Sequence, residues 1–348
     1  MKSYKLILII LVVFLKTGNV FSNSNIFDVN NIEIEKKGTT SNEVLANQAI
    51  KLGFKELMNK ILLDDDSKKL QQLKLPEIIE LVDYYKVSNK SSNKKNLEKI
   101  NFYVSFDKAK IHNLFYKKGI SYSKITNKEL FILPILKNND KIFIYNKNFF
   151  YNNWNNFYDT ELIEFILPIE NIEIIQYVNG SKNNLLNLEL KKLFTEYENK
   201  NLALVLIEDN NSKEEKIYFK TNIQNKDIVK NINIKRLNLS EEEFYEKIIT
   251  LVKKEIISLI KSQNLIDIRV PSFLNAELKI SKNSNMVELN SRLKKIDLIE
   301  NIYVKEFNNK SVYLKIKYFG ELDKIINQLE NQKIILQLIG DEWSIRII

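Results

Sequence analysis

Residues 130–136 read Leu-Phe-Ile-Leu-Pro-Ile-Leu, and residues 165–170 read Phe-Ile-Leu-Pro-Ile-Glu. The first run has no polar residue on either face, the pattern of a strand buried on both sides of a sheet. The second repeats five residues of it. That is too little for a domain duplication, but enough to predict two strands that share one environment. Pro134 and Pro168 each remove a ladder donor, so both are expected at strand ends. Further strands are predicted over 202–207, 216–221 and 229–236, and helices over 185–198 and 240–263. Ser240 caps the second helix, with Glu241, Glu242 and Glu243 at the positive end of its dipole. These elements make a middle αβ domain over residues 119–266.

Toward the N-terminus, residues 26–35 read as a strand, followed by the capping box Thr40-Ser-Asn-Glu43. Ala46, Ala49, Ile50, Phe54, Leu57 and Ile61 recur at three- and four-residue spacing, one apolar face of a helix ending near Leu63. Asp64, Asp65 and Asp66 read as its solvated exit. Two strands, 83–90 and 98–106, are joined by a polar loop over 88–95. Asp107 opens a short helix with Ile111, Leu114 and Phe115 inward, which leaves His112 off that face and exposed. These elements define an N-terminal αβ domain over 23–118.

Pro271 marks the next boundary. Beyond it the order is strand 275–281, helix 285–295, strands 299–306 and 311–318, helix 321–331, and strands 333–339 and 342–347. Asn308-Asn309 forms the central hairpin turn. This is a ferredoxin-like βαββαβ unit with one added strand, over 267–348. The expected fold class is therefore α+β, with three small αβ domains.

The first 22 residues supply an address. Lys2 and Lys5 precede the apolar run from Leu6 to Leu15, and Val20 and Ser22 suit a cleavage site after Ser22. Ten apolar residues are about half of what a spanning helix needs. The expected localisation is the periplasm. The competing reading is an uncleaved anchor in the inner membrane with the rest of the chain facing the periplasm, and the membrane is met only through that segment.

Composition narrows the chemistry. The chain has 53 Lys+Arg, 44 Asp+Glu, one His and no Cys. Without Cys there is no disulfide, thiolate zinc site or cysteine nucleophile. With His112 as the only histidine, a His-paired metal site is excluded. The glycines are too sparse for a GxGxxG turn or a P-loop. Arginine, the residue best suited to grip phosphate, occurs only at positions 236, 269, 292 and 346. No nucleic-acid partner, cofactor, metal ligand or catalytic residue is assigned. The one candidate partner surface is the aromatic-asparagine segment 149–158, through Phe149, Trp154 and Phe157. The three- to four-residue spacing of Phe150, Trp154 and Phe157 also fits a core-facing helix, the favoured reading.

Taken together, the export signal, the helix SNEVLANQAIKLGFKELMNKIL, the hairpin YYKVSNKSSNKKNLEKINFYVSFD, ELFILPIL, the second FILPIE and the C-terminal VELNSRLKKIDLIENIYV and VYLKIKYFGELDKIINQL resemble one family. It is the bacterial exported family known as domain of unknown function 2066. The middle region is also similar to the amino-terminal domain of the Tol-system periplasmic protein, the curli-secretion lipoprotein and flagellar outer-ring protein T. That family has no established activity, so the resemblance carries over no catalytic residues. The wider similarities imply envelope assembly or partner binding. The expected function is thus a non-enzymatic periplasmic protein that binds other cell-envelope components. The alternatives are a carboxylate-based hydrolase acting on a glycan, or an anchored accessory subunit of an envelope transport complex.

Overall fold

The computed structural model describes residues 26–36, 39–92, 98–125, 128–158, 162–197, 199–210, 212–237, 239–280, 286–340 and 342–348. The expected signal over 1–22 lies outside them. The fold is α+β. Contacts group the chain into two compact units. Unit 2 is residues 123–265, and unit 1 joins the residues up to Tyr122 to residues 266–348. The segments read from sequence as separate domains, 23–118 and 267–348, therefore share one unit and one hydrophobic core.

Unit 1 begins with β1 (Asp28–Lys36), α1 (Asn42–Ile61), α2 (Asp64–Leu70), α3 (Leu75–Glu80), β2 (Val82–Ser92), β3 (Glu98–Phe106), α4 (Lys108–Lys118) and β4 (Tyr122–Ser123). β3 lies between β1 and β2 and is antiparallel to both. The Ser41 side chain caps α1, whose buried face includes Leu45, Ala49, Ile50, Phe54 and Leu57. Asp64, Asp65 and Asp66 do not form an exit. They occupy the first turn of α2, where the positive end of a new helix dipole favours carboxylates.

Unit 2 contains β5 (Glu129–Asn138), β6 (Lys141–Phe143), α5 (Phe149–Asn153), β7 (Glu164–Ile166), α6 (Ile172–Gly180), α7 (Leu190–Leu193), β8 (Leu202–Asp209), β9 (Glu214–Ile223), β10 (Lys226–Lys235), α8 (Glu241–Gln263) and the start of β11 (Leu265–Ile266). The sheet order is β10-β9-β8-β5-β6, with β7 also paired to β5. Of the second FILPI string only Phe165 and Ile166 enter the sheet, in β7, parallel to β5 and one residue out of step, Phe131 opposite Ile166. The two strings therefore do not share one environment: Phe131 and Phe165 face different cores. Side chains of β5 alternate between two cores. Leu130, Ile132 and Leu136 meet residues of α8, and Phe131, Leu133 and Ile135 meet residues 174–194.

Two further readings change here. Pro134 lies inside β5, opposite Val205 of β8, rather than at a strand end. Its carbonyl accepts from the Asn148 side chain at 2.9 Å, on the side of β5 left open between β7 and β6. The N and O of one strand residue point the same way, so the missing N–H faces that gap and no ladder bond is lost. The helix expected over 185–198 is broken into a 3₁₀ turn, Leu185–Asn187, and the single turn α7.

Unit 1 is completed by β12 (Ser272–Lys279), α9 (Met286–Leu293), β13 (Ile299–Phe307), β14 (Ser311–Tyr318), α10 (Leu322–Asn331), β15 (Ile334–Ile339) and β16 (Glu342–Ile347). The order is β13-β14-β12-β16-β15. The last strand does not extend the sheet. It inserts between β12 and β15, parallel to the first and antiparallel to the second. Asn308 closes the β13–β14 hairpin by accepting from the backbones of Lys310 and Ser311. The first β-α-β-β-α run of unit 1 repeats this plan, with β1-β3-β2 ordered as β12-β14-β13 are. β2 and β13 are consequently both edge strands.

Candidate functional site

α4 is set by its ends. Asp107 caps it by accepting from Lys110 N at 3.0 Å, and Gly119 ends it at φ +66°, a left-handed turn that glycine adopts without strain. Between these ends the helix buries Ile111 and Phe115, as expected, and also His112. The exposed placement read from sequence is therefore incorrect. His112 is only 6% exposed. Its ring sits 5.4 Å from Phe27, 5.4 Å from Tyr122 and 5.6 Å from Phe319. These neighbours come from distant parts of the sequence, so helix periodicity alone could not place the side chain.

Among the described residues, the buried His112 Nε2 has no hydrogen-bond partner, and neither has the buried Tyr122 Oη. Burial and, secondarily, the Lys108 charge one turn earlier lower the imidazole pKa to about 4. Burial also raises the Tyr122 phenol. At neutral pH the pair is thus uncharged. No serine hydroxyl or carboxylate hydrogen-bonds the imidazole among the described residues, so no general-base relay is assembled on it.

A cleft of about 760 Å³ adjoins His112, bordered by Asp83, Asp107, Lys108, Arg269, Glu300 and Lys317. Most of these charges are already engaged. Lys108 Nζ donates to Ile299 O at 2.9 Å, Lys317 pairs with Glu300 at 2.8 Å, and Arg269 clasps Asp267 through two nitrogens.

The aromatic segment of unit 2 is differently placed. Trp154 is fully buried and packs edge-on against Phe165 at 6.3 Å. Phe149 and Phe157 are half-buried against the same core and stack on each other at 6.4 Å. The core-facing reading accounts for this segment, and the Trp154 ring is not presented to a partner.

A second polar cluster gave no sequence signal beyond a rare arginine. Asp209, at the end of β8, is 1% exposed. It accepts from Arg236 at 2.6 Å and from Tyr245 Oη at 2.5 Å. Burial and the Asp209 hydrogen bond push the Tyr245 phenol upward. Buried Glu215 accepts from the backbones of Asn210 and Ser212, and Arg236 lies 4.6 Å over Phe244. This network ties the β8–β9 turn to α8.

Among the described residues no group of three His, Cys, Asp or Glu is placed to hold a metal ion. No helix among them is long and apolar enough to cross a membrane. No family model matches the chain, and no curated protein matches it. A solved structure described as "Crystal structure of uncharacterized protein" is similar to 40% of this chain and 94% of its own, at 10% identity and a TM-score of 0.18. Similarity at that level assigns neither fold nor function.

Proposed function

We propose that this chain is a non-enzymatic exported protein of the periplasm that binds other cell-envelope components through its sheet edges. One observation carries the reading. In unit 1 two edge strands turn apolar side chains toward the helix-covered face of their sheets, yet leave them in solvent. On β2, Tyr85 and Val87 lie opposite the buried Val104 and Phe102, and both are exposed. On β13, Val304 and Phe307 lie opposite the buried Leu314 and Val312, and are 54% and 70% exposed. An edge strand with free backbone groups and uncovered apolar side chains is a template for an added strand. The export pattern in residues 1–22 and the resemblance to the exported family support the envelope setting.

A photocrosslinking residue placed at Val304 or Val87, in cells, tests the reading. Discrete adducts with an envelope protein are expected, those from Val304 lost on Phe307→Lys and those from Val87 lost on Tyr85→Lys in variants that still fold. Absence of adducts at both edges, with an unchanged phenotype for both variants, would remove it.

A further inference from the structure

His112 is the chain's only histidine, and it sits where α4 meets the residue that follows β14, Phe319. The N-terminal and C-terminal segments of unit 1 are also joined here by the Lys108 bond to Ile299 O. The imidazole is nearly enclosed, its Nε2 has no hydrogen-bond partner among the described residues, and three rings lie around it. Such a site accommodates a neutral ring, whereas a proton on Nε2 would be buried with no hydrogen-bond acceptor among the described residues.

The charged and titratable groups around it do not relieve that cost. From α4 come Lys108 and the capping Asp107, whose carboxylate serves the helix N-terminus. From β2 comes Asp83, and from the stretch before β12 comes Arg269, paired with Asp267. From β13 and β14 come Glu300 and Lys317, paired with each other. Tyr122 stands alongside as a neutral phenol, with Asp297 acting on it. The carboxylates lie along the adjoining cleft, and none bonds the ring. A protonated imidazole would therefore lower its energy by leaving the aromatic contact and turning into the cleft, toward Asp83.

We propose that His112 is an acid-operated latch: neutral, it closes the contact between α4 and the end of β14, and protonated, it swings into the cleft and loosens the N-terminal segment of unit 1 from the C-terminal one. The lowered imidazole pKa agrees with this geometry. The inference is independent of the envelope-binding reading, since it concerns the joint inside unit 1 and not the sheet edges.

Hydrogen–deuterium exchange on the full chain tests it, with rates corrected for the intrinsic pH dependence of exchange. Between pH 7 and pH 4.5, amides of α4 and of residues 311–319 are expected to lose protection by roughly tenfold to a hundredfold, while β5 and β8 of unit 2 change far less. His112→Phe keeps a ring in the site and cannot take the proton, so the step should vanish in that variant. An equal step in wild type and His112→Phe would overturn the proposal. If the variant fails to fold, the wild-type pattern alone decides. Uniform loss of protection across both units, or none in α4, would overturn it as well.

Discussion

In unit 2 the buried carboxylate of Asp209 meets Arg236 at 2.6 Å and Tyr245 at 2.5 Å, whereas in unit 1 the buried imidazole of His112 lies among three rings, with no hydrogen-bond partner for its Nε2 among the described residues. Both sites take an ionisable side chain out of water. The first supplies partners for the charge, so the ion pair persists and holds a turn against a helix. The second supplies none, so the neutral form is held and the charged form is penalised. Removing a partner should damage the first site at any pH. The second should respond mainly to acid.

The largest expected effect lies in unit 2. Asp209→Ala leaves Arg236 and Tyr245 facing an empty site, and breaking a buried pair from one side costs about 3–5 kcal/mol. Denaturant unfolding checks it, and a loss below about 1 kcal/mol would mean that the cluster is hydrated. Trp154→Ala should cost a similar ~3–5 kcal/mol. Normal melting in that variant would contradict core placement of the ring. Leu133 is fully buried, and Leu133→Ala should lose about 2–5 kcal/mol. Leu167 lies one residue past β7 and is only half-buried, so Leu167→Ala should lose clearly less, although both leucines occupy the same string. Equal losses would show that position in the string outweighs position in the sheet.

The acid effect in unit 1 comes next. The folded His112 pKa of about 4 lies below the ordinary 6.5, so the unfolded chain binds the extra proton first. Stability from this group is therefore complete above about pH 6.5, falls as pH drops, and levels off below about pH 4. The shift corresponds to about 3 kcal/mol. Other carboxylates titrate in the same range, so the quantity to compare is the loss in wild type minus the loss in His112→Phe. A difference near zero would break the contrast between the two sites. The smallest effect belongs to an exposed pair, Lys192–Glu189 at 2.8 Å. Lys192→Ala should move stability by less than about 0.5 kcal/mol, and a larger change would point to a role for Lys192 beyond that pair.

What the sequence disclosed follows from the range of the interactions involved. α8 was legible because its cap, acidic first turn and apolar stripe all lie within one local window. The strands of the C-terminal segment were legible from alternation, but the place of β16 was not. Alternation sets which face is buried and leaves the neighbour open, and pairing between β12 and β16 is a long-range choice. Residues 185–198 misled because Leu185, Leu188, Leu190, Leu193 and Phe194 are all buried at a spacing no regular helix gives. Pro134 misled because the harmlessness of its missing donor depends on the gap beside β5. His112 misled most, since the rings around it are contributed by residues 27, 122 and 319. The arginine-aspartate cluster was invisible for the same reason.

With one histidine in the chain, the imidazole carbon-bound protons form a single, unambiguous pair of NMR signals. Following them from pH 8 to pH 3.5 tests most directly whether unit 1 buries an uncharged, unpartnered imidazole. The account predicts a titration midpoint near the lowered value of about 4, with protection of α4 falling over the pH range above it, from about 6.5 downward. A midpoint at or above 6.5, the ordinary value for an exposed histidine, would contradict it.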